Sequence, residues 1–401
     1  EDGEEFSLAE LVAKSTSNKA IRRGELMVRI AGFEQIAREL GHDGLFGTLT
    51  CPSRMHKFST VAGGKKVIPN KKYDGTTPRQ AQQYLAAVWK LVTAQLRRDG
   101  LKVYGFRIAE PNHDGTPHWH FILFMGHVEG DESRRALPRV AAVVRRYALR
   151  DSGDERGARQ HRFKPVRIDW SKGTAAGYIA KYVAKNIDGL HVEKDLFGND
   201  AMHTALRVET WATTWGIRQF QPIGGAPVTV WRELRRIKAL EADAPDHLVQ
   251  AFEACNKIAG VEGDEAKGAN FAEYLRAQGG VFVGRDYKIR LAMEEREGEG
   301  RYGDALLPRP IGVRSVGIVK RAIGALGCYA VESIEWLVKS VRHVWRVVGG
   351  VGLGFAAKNS PPWTRVNNYT RERDEVELDF QRTAAKNPPP WLFDGGGGCF
   401  A

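Results

Sequence analysis

Tyr178 and Tyr182 stand four residues apart in Gly177-Tyr178-Ile179-Ala180-Lys181-Tyr182-Val183-Ala184-Lys185-Asn186. On a helix that spacing puts two phenols side by side. At about 100° per residue Lys181 and Lys185 join them in one stripe, while Ile179, Ala180, Val183 and Ile187 fall on the opposite side. One face is suited to packing and the other to something anionic. A phenol with an ordinary pKa of about 10 is a weak nucleophile, so covalent chemistry needs a base or a nearby cation that favours the phenolate. Lys181 and Lys185 can serve that purpose or bind phosphate. The same pattern also describes an amphipathic helix whose lysine stems lie along half-buried tyrosines.

A second group precedes it. His118-Trp119-His120 opens a strand-like run in which alternate side chains share a face, so the two imidazoles project together. Glu110 ends the preceding run and can bring a carboxylate opposite His118. Glu, His and His with open positions suit Mg2+ or Mn2+ that also holds a phosphate oxygen, and the imidazoles admit Zn2+ as well. A metal beside a phosphodiester acts as a Lewis acid. A histidine pair without a metal remains the alternative for this spacing alone. His113 and Asp114 read as turn residues rather than ligands.

These groups need elements to position them. Leu26, Ile30, Phe33, Ile36, Ala37 and Leu40 predict a helix over 20–40, stopped by Gly41. Phe46 to Cys51 reads as a short strand ended by Pro52, and the lysine-rich stretch from Pro52 to Thr77 as a mobile basic loop. Pro78 opens a helix to about Arg98. Lys102 to Glu110 and His118 to Met125 form a hairpin around Asp114-Gly115. A helix near Arg134 to Leu149, a strand near Phe163 to Ile168 and the tyrosine helix follow. The order predicts an α+β fold: a ferredoxin-like (βαββαβ) antiparallel sheet with helices on one face and the other left free for a substrate. Helical C-terminal additions are expected over Val228 to Leu240, Pro245 to Gly279 and Tyr329 to Val348, before a flexible Pro-, Arg- and Gly-rich tail from Asn359. The expected divisions are a helical segment 1–45, a catalytic domain 46–222, a helical region 223–284 and a C-terminal region 285–401.

Sixty Lys+Arg against 48 Asp+Glu give a net charge of +12, which favours a polyanionic partner such as nucleic acid. Cys51, Cys255, Cys328 and Cys399 include no CxxC pair, so neither a zinc ribbon nor a disulfide framework is suggested. The apolar run Val347 to Ala357 is too short and glycine-rich to span a bilayer, and the N-terminus carries acidic residues where a signal peptide is basic. A soluble cytoplasmic protein with no membrane partner is expected. The sequence starts at Glu1 without an initiator methionine, as a piece of a longer chain would.

Phe46-Gly47-Thr48-Leu49-Thr50-Cys51-Pro52-Ser53, then Glu110 to His120, then Tyr178 to Tyr182 resemble the three ordered motifs of HUH rolling-circle replication initiators, and among them the phage replication gene A protein family. Arg22 to Met27, Trp215 to Phe220 and Val230 to Arg236 are also similar to segments of that family, so the resemblance covers roughly residues 20 to 280. It implies a site-specific single-strand DNA endonuclease that also rejoins ends. One tyrosine attacks a phosphate at the phage origin, stays on the 5′ phosphate and frees a 3′-OH for a host DNA polymerase; the second cuts the regenerated origin and a circle is closed. By motif position Tyr178 and Tyr182 are the nucleophiles, and His118, His120 and Glu110 are the metal ligands; Lys181, in the tyrosine stripe, is the lysine expected to assist them, with phosphate binding as its alternative. Thr48, Thr50 and Lys185 face the DNA, packing threonines being the alternative. Asn112 stands where many relatives carry a histidine.

Gly63-Gly64-Lys65-Lys66 does not fit a Gly-x-x-x-x-Gly-Lys-Ser/Thr phosphate loop, so strand unwinding is assigned to a separate host helicase. Trp119 and Trp170 can stack on bases, although core packing is the better reading of Trp119. Two other functions fit less of the sequence: a conjugative relaxase or transposase of the same superfamily, and a non-catalytic nucleic-acid-binding protein with a ferredoxin-like sheet, which would carry aromatic residues on its central strands.

Overall fold

The computed structural model describes residues 5–61, 66–126, 136–174, 201–256, 268–299, 303–323 and 328–343, with Gly177, Ile179, Val183, Asn186 and Ile187 as separate positions. Among these, 5–57 and 70–341 belong to one compact unit, and Phe58–Pro69 with Arg342 and His343 belong to a second. Helices α1 (Leu8–Ala13) and α2 (Lys19–Glu39) precede strand β1 (Asp43–Leu49). The second unit's β2 (Phe58–Val61) and β3 (Lys66–Pro69) pair as a short antiparallel hairpin. The segment read as a basic loop thus holds a strand pair, and its β-branched Thr60, Val61, Val67 and Ile68 are the residue types that favour it.

The first unit continues through α3 (Pro78–Arg98), β4 (Val103–Pro111), β5 (Pro117–Met125), α4 (Ala136–Ala148), α5 (Ala158–His161) and β6 (Phe163–Arg167). A helix over Ala201–Thr214 leads to β7 (Phe220–Ile223), followed by the helices Val228–Leu234, Asp246–Asn256 and Phe271–Ala277. Local signals explain the starts. Thr77 and Gln80 form a capping box ahead of Pro78 at α3, and the Asn18 side chain accepts from the Ala20 amide at α2.

Five strands assemble as an antiparallel sheet in the order β6-β1-β5-β4-β7. Because β1 and β4 each pair antiparallel with β5, they run parallel to one another, with α3 as the crossover between them. The chain is α+β. One face of the sheet buries Leu45, Leu49, Trp119, Phe121 and Leu123 against Leu85, Val88 and Val92 of α3 and Val140 and Val144 of α4. The opposite face was expected to be free, and it is not. Tyr104, Phe106, Ile108, Ile122 and Phe124 are buried there against Ile30, Phe33 and Ala37 of α2, with Ile179, Val183, Trp231 and Phe271 in the same core. The run Phe121-Ile122-Leu123-Phe124-Met125 is apolar at every position, as a strand covered on both faces must be.

A second sheet, in the order β10-β9-β8, comprises β8 (Ile289–Glu294), β9 (Arg309–Ile323) and β10 (Cys328–Lys339). It overturns the helix expected over Tyr329 to Val348. β10 pairs with β9 along its whole length, and exposure alternates from Ser333 to Ser340, with Trp336 buried between exposed Glu335 and Leu337. Val331, Ile334, Leu337, Val338 and Val341 fit a helical period by coincidence. The pattern that packs is Ile334, Trp336 and Val338, at period two, in the core with Ile289 and Val313. The C-terminal additions are therefore helices and a sheet. The apolar run from Val347 and the tail from Asn359 lie outside the described residues. No helix among the described residues is long and apolar enough to cross a membrane.

Gly47 shows how tightly β1 is fitted: a Cβ there would clash with the Phe121 ring. Phe121 is fully buried and cannot yield. Gly47→Ala is expected to lower stability by about 1–3 kcal/mol in urea unfolding; a neutral substitution would contradict this packing.

Candidate metal centre

Sheet register assembles the site. Glu110 pairs with His118 across β4 and β5, Ile108 with His120, and Thr48 with His120 across β1 and β5. Paired residues share a face, so Thr48, Glu110, His118 and His120 project together at one end of a face that is otherwise apolar along β4 and β5, with Lys164 of β6 paired with Thr48. His118 Nε2 lies 2.9 Å from His120 Nε2, with the rings edge to face. His120 Nε2 is 3.8 Å from Glu110 Oε2. One ligand atom from each of the three lies within 4.8 Å of the other two. A carboxylate oxygen and two imidazole nitrogens converging at this range fit a divalent cation that keeps open positions for another ligand.

The surroundings aim these groups. Thr48 Oγ1 shares a 3.1 Å hydrogen bond with His120 Nδ1, which leaves Nε2 for the cation, and the Phe46 ring stacks on His120 with centroids 5.8 Å apart. Buried Asn186 donates through Nδ2 to Glu110 Oε1. Gly177, Ile179, Val183, Asn186 and Ile187 are helical, and Ile179, Val183 and Ile187 are buried in the core under this face. Asn186 is the residue that sequence reasoning missed. It falls on the helical face of Ile179 and Val183, so the apolar stripe itself carried the signal.

The turn between the ligand strands is locked from several sides. Gly115 adopts φ +80°, a left-handed value that suits glycine. The Asn112 amide donates to the Thr116 carbonyl at 2.8 Å, the Thr116 amide to Asp114 Oδ1 at 3.0 Å, and Trp211 Nε1 to the Gly115 carbonyl at 2.9 Å. Asn112 thus holds a turn position. Asp114 Oδ2 lies 3.0 Å from His56 Nδ1, and its side chain is fully buried. Burial alone would raise the Asp114 pKa; the His56 contact and the Thr116 amide outweigh it and leave the carboxyl below its usual value. Burial lowers the pKa of the neighbouring His113.

The other expected site residues divide. Tyr178, Lys181, Tyr182 and Lys185 lie outside the described residues. Thr50 Oγ1 donates to the His161 carbonyl at 2.8 Å. Trp119 is buried and donates through Nε1 to Gln82, whereas Trp170 stacks on Phe124 with the Arg38 guanidinium over its ring.

The chain is similar to known phage proteins. Residues 1–190 match the family model described as bacteriophage replication gene A protein (GPA). The chain is similar to the replication gene A protein of Escherichia phage 186, with 38% identity over 394 residues, 96% of this chain and 52% of that protein. It is 37% identical over 379 residues to the replication gene A protein of Escherichia phage P2, covering 92% of this chain and 46% of the relative. It is 34% identical over 374 residues to a probable replication endonuclease from a prophage-like region of Salmonella paratyphi A, covering 92% and 44%. The chain spans about half the length of these curated relatives. No solved structure matches it.

Two measurements check the geometry. Thr48→Val removes the bond to His120 Nδ1 and is expected to weaken Mn2+ binding by about 10–100-fold in calorimetric titration; unchanged affinity would exclude the orienting role. Asp114 has a lowered folded pKa, so its stabilisation is present above its unfolded pKa of about 3.9 and is lost as pH falls through the lower folded value. Asp114→Asn should cost about 1.5–3 kcal/mol near neutrality and flatten the acid limb of the stability profile, measured by urea titration across pH.

Proposed function

Because the chain belongs to the bacteriophage replication gene A protein family, we propose that it is a site-specific single-strand DNA endonuclease and ligase that starts rolling-circle replication at a phage origin. The observation that carries the reading is the convergence of Glu110, His118 and His120, with Asn186 of the tyrosine-bearing segment hydrogen-bonded to Glu110. A relative named as a probable replication endonuclease adds to it. The strand order β6-β1-β5-β4, with α3 and α4 on one face, supports a ferredoxin-like βαββαβ core within 46–222, to which α2, β7 and the later elements add the second layer.

Mg2+ or Mn2+ held by the three ligands would withdraw charge from a scissile phosphate and orient it for in-line attack. The protein supplies the rest. A tyrosine oxygen, Tyr178 or Tyr182, bonds to phosphorus as the bond from phosphorus to the 3′ oxygen breaks, and the proton lost by the phenol is balanced by the one gained by the leaving 3′-OH. Lys181 favours the phenolate, while Lys185 and Thr50 contact the DNA backbone. Thr48 acts through His120. Each step exchanges one phosphodiester for another, so rejoining needs no ATP, and the second tyrosine repeats the cut after one round of synthesis. A host helicase and DNA polymerase in the bacterial cytoplasm supply unwinding and extension.

Asn186 lies four residues beyond Tyr182, one helical turn along the sequence. Its bond to Glu110 ties the tyrosine segment to the ligand hairpin. Incubated with an origin oligonucleotide and Mn2+ or Mg2+, the wild type is expected to yield a covalent 5′ adduct that maps to Tyr178 or Tyr182 by mass spectrometry. Equal cleavage by the Tyr178→Phe, Tyr182→Phe double variant would overturn the mechanism.

A further inference from the structure

A buried cation lies on the other face of the sheet from the metal ligands. Arg107, on β4, is only 7% exposed, and its guanidinium sits over the Trp119 ring, 3.7 Å from the centroid. Its Nη2 donates to Gln221 Oε1, but its buried Nη1 has no hydrogen-bond partner among the described residues. Gln219, 5% exposed, likewise holds a buried Nε2 without a partner. The register places the two together: Arg107 pairs with Gln221 across β4 and β7, and the Ala109 amide donates to the Gln219 carbonyl at 2.8 Å. Gln219 and Gln221 therefore share a face with Arg107. The exposed Arg218 adds a second positive charge. Burial and then Arg218 push the Arg107 pKa down to about 10, and among the described residues no carboxylate counters them.

Proteins do not bury a guanidinium without compensation. An unpaired buried ion costs several kcal/mol and an unmet buried donor about 1–3 kcal/mol, while the Trp119 face offsets only part of this and leaves the in-plane N–H groups unmet. Among the described residues two buried donors on one face, Arg107 Nη1 and Gln219 Nε2, are left without acceptors. A tetrahedral oxyanion supplies what is absent, since its oxygens accept from the guanidinium fork and the amide together. We propose that Arg107, Arg218 and Gln219 form a phosphate-binding subsite on the face of the sheet away from the metal ligands. Its ligand is either a backbone phosphate of a bound strand or a free phosphate compound.

Calorimetric titration with inorganic phosphate, at an ionic strength held with chloride, tests the subsite directly. Saturable binding to the wild-type chain is expected, weakened at least about tenfold, or 1.4 kcal/mol, in Arg107→Met and in Arg218→Ala. Arg218 is exposed, so its variant keeps the test open should Arg107→Met fail to fold. Titration with a single-stranded oligonucleotide across salt concentrations separates the sources. If the phosphate belongs to DNA, Arg218→Ala reduces the salt slope by about 0.7; if only inorganic phosphate binding is lost, the ligand is a free compound. No phosphate binding together with an unchanged salt slope overturns the subsite. Neither readout depends on cleavage, so a failure of the nuclease reading leaves this test intact.

Discussion

The register of the β4–β5 hairpin is the constraint on which the site depends. Asp114 and Gly115 close the turn, and from there pairing is fixed residue by residue, Glu110 to His118 and Ile108 to His120. Side chains alternate along a strand, so a slip of one residue would send a ligand into the opposite core. The turn is correspondingly anchored: Trp211 holds the Gly115 carbonyl, Thr116 Oγ1 donates to the Met55 carbonyl at 3.2 Å, and the buried Asp114 carboxylate meets His56. Elements far apart in sequence thus hold one short loop.

Burial on both faces of the sheet follows from the same strands. β5 is apolar at successive positions beyond His120, so α3 and α4 cannot cover it alone. α2 and the later helices close the second face and leave polar ligands at its end, where Glu110 is 2% exposed and His120 8%. Low exposure strengthens electrostatic interactions at such a site. It also explains why Asn186 is needed: a buried carboxylate must have its oxygens engaged.

The layer over that second face is held by charge as well as packing. Arg29, buried under the aromatic rings of Phe106 and Phe271, lies 3.7 Å from Glu25, and Arg232 donates through Nε and Nη2 to both Glu25 oxygens at 2.8 and 2.7 Å. The bidentate pair joins α2 to the helix Val228–Leu234. Ser340 Oγ then donates to Glu233 at 2.7 Å, joining that helix to the chain just beyond β10. Arg22 to Met27 and Val230 to Arg236, two of the segments that resemble the gene A family, meet in this network.

Much of this was legible in the chain itself. Helical period marked α2, Pro78 marked the start of α3, the Asp-Gly turn marked the ligand hairpin, and the His-x-His alternation with Glu110 marked the candidate ligands, because these are local properties of backbone geometry. β10 misled because Ile334, Leu337, Val338 and Val341 satisfy a helical spacing while Ile334, Trp336 and Val338 satisfy a strand's, and only the presence of β9 as a partner chooses between them. The second helical layer was hidden for a related reason, since an apolar strand shows that both its faces are covered but not by which helices. The sequence by itself determined the residue types that can do chemistry and their local spacing. Tertiary structure alone decided that Asn186 engages Glu110, that Thr48 orients His120 and that Arg107 is buried with no counter-ion among the described residues, because each depends on side chains brought together across strands and layers.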